Sequence, residues 1–166
     1  MGILSRMKTI FKSEVNASLD KVEDTEKMLN QTVLDMQEQL QKAKQQVAIA
    51  IADEKRLERS YLENQQLTDQ WMDKAKLAVQ KGSDELAKAA LERKVEYENL
   101  AAEYQKQWVA QKDAVEKLKV SLRDLERKVE EAKRQKDLLI ARNKRAIAQK
   151  QIHQTMAGMA TNAGVV

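Results

Sequence analysis

Apolar residues recur along the first half of the chain at alternating steps of four and three positions. The strong part of this series, seam one, has a single charged member and consists of Leu29, Val33, Met36, Leu40, Ala43, Val47, Ala50, Glu54, Leu57 and Tyr61. It continues more weakly through Asn64, Thr68, Trp71, Ala75 and Ala78. This spacing is typical of a helix that packs on another helix as a coiled coil. The pattern therefore predicts a long first helix.

A second series, seam two, occupies the other half of the chain. Its members are Tyr97, Ala101, Tyr104, Trp108, Gln111, Val115, Leu118, Leu122, Leu125, Val129, Ala132, Lys136 and Leu139. Between the two seams lies Gly82, the one glycine or proline between Ile3 and Ala157. Glycine suits the left-handed residue that ends a helix, and Ser83 or Asp84 can cap the next one. The chain is therefore expected to fold back on itself at Gly82.

The two seams agree with one antiparallel pairing, in which the residue numbers of facing positions add up to about 165. The pairs include Leu40 with Leu125, Val47 with Leu118, Leu57 with Trp108, and Tyr61 with Tyr104. The polar interruptions also match, because Glu54 comes opposite Gln111. The sequence thus predicts an all-α fold, a long antiparallel helical hairpin of coiled-coil type.

Composition supports this fold and excludes several others. The 166 residues include no proline, no cysteine and only four glycines, whereas a sheet of this size needs turns at short intervals. The longest apolar run, residues 47–52, is far shorter than the roughly 20 residues of a membrane-spanning helix. No catalytic, metal or cofactor constellation is recognisable, since the lone His153 has no Cys, Asp or Glu near it in sequence. We therefore expect neither an enzyme nor a bound cofactor.

Residues 1–24 do not continue seam one. In a helix, the apolar side chains of residues 3–15 fall within an arc of about 140°, and the basic ones fall outside it. The residues expected to bind a membrane are Ile3, Leu4, Arg6, Met7, Lys8, Ile10, Phe11 and Lys12. A short basic amphipathic helix suits the interface of an anionic membrane. The alternative is a helix that packs back onto the hairpin or onto a neighbour.

The end of the second helix has a distinct chemistry. From Leu138 to Val166 there is no Asp or Glu, and the pairing runs out near Leu139. The residues expected to make an assembly or anionic contact are Ile140, Arg142, Lys144, Arg145, Ile147 and Lys150. The alternative is a solvated, fraying helix end. Nucleic acid is not an expected partner, because no aromatic side chains interleave with these charges.

Several short segments carry a resemblance that covers nearly the whole chain. They are the opening MGILSRMK at residues 1–8, EDTEKML at 23–29 followed by Asp35-Met36, AVQKG at 78–82, Leu86-Ala87, and ALERK at 90–94. In combination they resemble the phage shock protein A family, which includes the vesicle-inducing proteins of plastids and cyanobacteria.

This resemblance implies a bacterial-type relative of the ESCRT-III proteins that assembles with itself into rods or rings. It implies a peripheral protein of the cytoplasm and the cytoplasmic face of the inner membrane. There it would bind anionic lipids and stabilise or remodel the membrane in envelope stress or membrane biogenesis. The alternative that it implies is a regulatory coiled-coil module whose hairpin restrains a partner such as an AAA+ transcriptional activator.

Two departures from the family pattern affect the expected domain limits. Thr25 stands where the family usually has proline, and the family continues beyond the end of this chain into further helices. We expect an amphipathic helix and hinge at 1–24, hairpin arms at 25–81 and 82–157, and a linker-like tail at 158–166. The tail suggests truncation before those further helices.

Overall fold

Two long helices form the fold. The computed structural model describes residues 2, 5 and 19–164. Helix α1 covers Leu19–Gln80 and helix α2 covers Asp84–Ala163, with 62 and 80 residues respectively. They pack against each other in opposite directions, and no strand occurs among the described residues. The predicted all-α helical hairpin is confirmed.

Both helices extend beyond the limits expected from the sequence. Helix α1 begins at Leu19 rather than near residue 25. Thr25 explains this difference, because unlike proline it keeps its backbone N–H, and its hydroxyl donates a hydrogen bond of 2.9 Å to the carbonyl of Lys21. Helix α2 continues to Ala163, so most of the expected linker is helical. Methionine and alanine are good helix formers, and together they outweigh the single Gly158 in this stretch.

The connection between the helices is a tight turn with a Schellman arrangement. Gly82 has a φ of +77°, in the left-handed region that glycine adopts without a Cβ clash. Its N–H donates to the carbonyl of Val79 at 3.0 Å, and the N–H of Ser83 donates to Ala78 at 2.9 Å. These two bonds satisfy carbonyls that the helix end would otherwise leave without donors. The carbonyl of Ser83 then accepts the first helical bond of α2, from Ala87 at 3.0 Å.

The chain divides into two compact units. The terminal unit comprises Met1–Gln41 and Asp124–Val166, and the loop unit comprises Lys42–Arg123. The core of the terminal unit is a cluster of branched and small apolar side chains, against which Leu40, Leu139 and Ile140 pack. The members of that cluster are Leu29, Val33, Met36, Val129 and Ala132.

The loop unit has a core of smaller side chains. Its buried apolar residues are Val47, Ala75, Ala87, Ala90, Ala101 and Val115, so four of the six are alanines. Two polar residues, Glu54 and Thr68, are buried with them. The Thr68 hydroxyl donates to the carbonyl of Asn64 at 2.8 Å, a bond within its own helix. Among the described residues, no buried side-chain nitrogen or oxygen lacks a hydrogen-bond partner.

The turn geometry predicts the effect of adding one methyl group at Gly82. Gly82→Ala should lower the free energy of unfolding by about 1 kcal/mol, because a Cβ strains the left-handed conformation although the space around it is open. Urea denaturation followed by far-UV circular dichroism measures this change. The matched control is Gly158→Ala, which adds the same methyl group to a helical residue in open space and should not destabilise the protein. Equal effects of the two variants would contradict the role given to Gly82.

The terminal core predicts a strong effect of charge at Leu40. Leu40→Asp should cost about 3 kcal/mol, because it removes apolar contacts with the cluster and leaves a carboxylate partly buried there. The neighbouring Gln39 is exposed, so Gln39→Asp introduces the same charge without touching the core. Thermal denaturation of both variants checks this. A loss of stability in Gln39→Asp as large as that in Leu40→Asp would show that charge, and not packing, is responsible.

Candidate functional site

The C-terminal part of α2 is a helix without cover, but it begins later than the sequence pairing indicates. Asn143 and Ile147 are half-buried, whereas every described residue from 148 to 164 is exposed. Ile140 packs against the core of the terminal unit, and its assembly contact stays a prediction. Helix α1 begins six residues earlier than expected, and Val22 in this added part is half-buried. We call residues 148–163 the bare helix.

Positive charge concentrates just before and within the bare helix. Arg142, Lys144, Arg145 and Lys150 are all exposed. Earlier in α2, cations pair with acids three or four residues away, as Lys94 does with Glu98 at 2.8 Å. No Asp or Glu occurs after Asp137, so these four cations have no such partner on their own helix. Their charge remains available to an anionic surface or to an acidic partner.

An exposed apolar stripe runs along the same region and extends beyond the expected Ile140 and Ile147. Ile152, Met156 and Met159 are 58%, 63% and 69% exposed, and they fall within an arc of about 60° on α2. Leu138, 63% exposed, lies on the same arc. The sequence does contain a signal, because 152, 156 and 159 repeat the four-three step of the seams. We call Ile152, Met156 and Met159 the apolar stripe.

A shallow concavity lies at the start of this region. It has a volume of about 280 Å³ and is lined by Gln135, Leu138, Leu139, Ala141, Arg142 and Arg145. Two arginines therefore border an apolar floor. This combination can accept an apolar side chain that is flanked by a carboxylate or a phosphate.

The predicted seam residues occupy different depths. Leu40 and Leu125 are half-buried in the terminal unit. In the loop unit Val47 is buried, and Leu57, Tyr61, Tyr104 and Trp108 are half-buried.

Leu118 departs from the pattern, since it is 41% exposed while Val115 is only 1% exposed. At 100° per residue, Leu118 points about 60° away from Val115, whereas Leu122 points only about 20° from it. Leu118 therefore lies at the edge of the seam.

A polar layer crosses the loop unit where the two seams are interrupted. The indole N–H of Trp108 donates to the Glu54 carboxylate, with 3.3 Å between Nε1 and Oε1. The side-chain amide of Gln111 donates to the backbone carbonyl of Ala50 at 3.2 Å. Glu54 is 8% exposed, so its carboxylate is largely removed from water. We call Ala50, Glu54, Trp108 and Gln111 the polar layer.

Aromatic contacts adjoin the polar layer. The rings of Tyr61 and Trp108 stack with centroids 5.7 Å apart and an interplanar angle of 21°. The ammonium of Lys112 lies 5.6 Å from the Trp108 ring. The residue numbers of the three cross-helix contacts add up to 161, 162 and 169, so each lies within about one helical turn of the predicted pairing.

The pKa of one nearby surface group is displaced. The pKa of Lys55 is raised because its ammonium donates a hydrogen bond to Glu58, and the Glu58 and Glu54 carboxylates favour its charged form. Lys55 is exposed, so this pair lies on the outer face of α1.

A second concavity lies beside the tight turn, in the loop unit. It has a volume of about 400 Å³, and its lining is Trp71, Lys74, Leu77, Ala78, Lys81, Ser83, Leu86, Ala89, Ala90 and Arg93. Leu77 and Leu86 are exposed there, and the ammonium of Lys74 lies 4.2 Å from the centroid of the Trp71 ring. The surface is thus an apolar groove with a basic rim.

The family model for the PspA/IM30 family matches residues 2–165. The chain belongs to this family. It is 42% identical to the membrane-associated protein Vipp1 of Nostoc punctiforme over 165 residues, which cover 99% of the chain and 64% of that relative. It is 41% identical to Vipp1 of Synechocystis, covering 98% of the chain and 61% of the relative. A phage shock protein A homolog of Deinococcus radiodurans is 36% identical, over 89% of the chain and 66% of that protein.

This PspA/IM30 chain therefore spans just under two thirds of the length of the cyanobacterial relatives. The eight residues predicted to bind a membrane lie outside the described residues; they are Ile3, Leu4, Arg6, Met7, Lys8, Ile10, Phe11 and Lys12. No helix in the described part of the chain is long and apolar enough to cross a bilayer. Within that part there is also no group of His, Cys, Asp or Glu side chains that could hold a metal ion.

Proposed function

We propose that the chain is a self-assembling peripheral protein that binds anionic membrane and stabilises or remodels it. The observation that carries this proposal is the match of nearly the whole chain to relatives named as membrane-associated proteins. A position on the cytoplasmic face of the inner membrane is part of the same proposal. A role in envelope stress or membrane biogenesis agrees with relatives that include phage shock protein A homologs.

The membrane contact is assigned to the first twelve residues. They contain three basic residues and no acid, and their apolar residues share one face in a helix. Apolar area removed from water contributes at roughly 25 cal/mol per Å², and each cation adds about 1 kcal/mol on an anionic surface. The two contributions differ in their response to salt, since only the second is screened.

The assembly contact is assigned to the bare helix. Sixteen exposed residues make a helix that is marginal in water by itself, because helices of this length depend mainly on tertiary packing. The apolar stripe gives a partner helix a surface to cover. A second copy of the chain is the occupant that we propose, since the adjoining Leu139, Ile140, Asn143 and Ile147 are half-buried in the hairpin and the apolar stripe repeats the four-three spacing of the seams.

Regulation of a protein partner is the alternative function. Restraint of an AAA+ activator through the hairpin stays a prediction of the family resemblance.

Vesicle co-sedimentation tests the membrane assignment. Phe11→Glu should weaken binding more than Lys12→Ala, because it places a charge in the apolar face instead of removing one from its rim. Binding of the unmodified chain should require anionic lipid and should weaken without vanishing at 1 M salt, where the Debye length is about 3 Å.

The matched comparison is a chain that lacks residues 1–22. Its binding to vesicles should fall to the level seen with zwitterionic lipid. Equal binding by the intact and shortened chains would reject the N-terminal assignment and move the contact to Arg142, Lys144, Arg145 and Lys150.

Sedimentation velocity tests the assembly assignment. Met156→Glu should lower the assembled fraction by about tenfold, because burying an unpaired carboxylate costs at least 1 to 2 kcal/mol. Gln154→Glu is the matched control: it adds the same charge about 160° away from Met156 on the helix, and it should assemble like the unmodified chain.

Two results would contradict the assembly assignment. An unmodified chain that stays monomeric at high concentration would reject it outright. Equal assembly by Met156→Glu and the control would show that the apolar stripe is solvated, as in a fraying helix end.

A further inference from the structure

The core of the loop unit discriminates weakly between alternative pairings of its two helices. Four of its six buried apolar residues are alanines, whose side chains are too small to interlock strongly. The tight turn holds the helices together only at their near ends, and 28 residues separate Glu54 from Gly82.

The polar layer behaves differently from the other buried polar residue of the loop unit. Thr68 is satisfied by a carbonyl of its own helix, so it is indifferent to what lies opposite. Glu54 accepts from Trp108 on the other helix, and Ala50 accepts from Gln111 across the same gap. Both hydrogen bonds run from donors on α2 to acceptors on α1. Both hydrogen bonds can form together only when α1 and α2 have one particular axial alignment.

Alternative alignments remove these partners from a buried carboxylate. In the pairing predicted from the sequence Glu54 comes opposite Gln111, and in the structure its donor is Trp108, one turn away. A shift of seven residues in either direction brings Leu118 or Tyr104 opposite Glu54 instead. A buried acceptor without a donor is penalised by a factor of about ten or more in the equilibrium between the two pairings. Leucine at position 54 would fit all three alignments.

We infer that the polar layer selects the register of the hairpin, at a cost in stability. A single polar position in a coiled-coil seam can fix the register in this way, while an apolar replacement is more stable and less specific. The layer thereby excludes shifted pairings within one chain and between the arms of different chains. This role is independent of the membrane and assembly contacts proposed above.

The absence of cysteine from the chain makes the test direct. Cysteines introduced two at a time among Ala43, Ala50, Val115 and Leu122 give two in-register pairs, 43 with 122 and 50 with 115. The same positions give two pairs shifted by one heptad, 43 with 115 and 50 with 122. A heptad shift displaces the cysteines by about 10 Å along the helix, beyond the roughly 7 Å between Cα atoms that a disulfide tolerates. Each pair is oxidised in the full chain, and disulfides within and between chains are separated by mass.

The decisive variant is Glu54→Leu with Gln111→Leu. In the unmodified background only the in-register pairs should form disulfides. In the double variant the yield of the shifted pairs should rise about tenfold, while the thermal midpoint rises as well. Glu54→Gln is the matched control, because its side-chain oxygen still accepts from Trp108, and it should keep the shifted yield low.

A second variant keeps the inference testable if the double variant misfolds. Trp108→Phe retains a ring against Tyr61 but removes the donor to Glu54, so the shifted yield should rise here too. The inference is overturned if both variants stay helical and cross-link only in register, since the turn alone would then set the register. It is also overturned if Glu54→Gln cross-links like the double variant, because side-chain size and not hydrogen bonding would then be responsible.

Discussion

Neither helix can bury its own apolar seam, and most of the structure follows from this constraint. A seam of the kind that runs through Val33 and Met36 removes apolar area from water only when another seam lies against it. In the terminal unit that partner is the part of seam two that contains Val129 and Ala132. In the loop unit the partner stripe is rich in alanine, so less apolar area is buried by each layer. The two units thus use the same arrangement with cores of different character.

The main features of the fold could be predicted because they depend on the spacing of the apolar positions and on the residue that interrupts the helices. A spacing of four and three residues identifies coiled-coil helices without any knowledge of side-chain detail, and Gly82 is the single break between them. The pairing of Glu54 with the segment near Gln111 also followed from the numbering of the seams. The exact partners did not, because Trp108 reaches Glu54 from one turn away by means of its long, rigid side chain. Numbering predicts which turns meet, whereas side-chain length and orientation determine which atoms do.

The errors in the sequence predictions have physical causes of two kinds. Helix ends were predicted from breakers and compositional shifts, yet Thr25 and Gly158 are tolerated inside helices when no competing structure is available. The same cause placed the end of the pairing near Leu139, whereas Asn143 and Ile147 are also half-buried. The second kind concerns the edge of a seam. Leu118 and the apolar stripe show that a residue with seam-like spacing still needs an opposing surface before it is buried.

The tight turn couples the lengths of the two arms. Only Lys81, Gly82 and Ser83 separate the helices, and their backbone groups are already engaged in the hydrogen bonds that end α1 and begin α2. Such a turn has no slack to absorb inserted residues. An insertion or deletion between the turn and the polar layer in one arm would have to be matched by an equal change in the other, and in whole heptads, for the layer to survive. Homologous chains should therefore differ in length in this region by seven residues or a multiple of seven. An equal change should occur in both arms, and an alignment of such chains would show it.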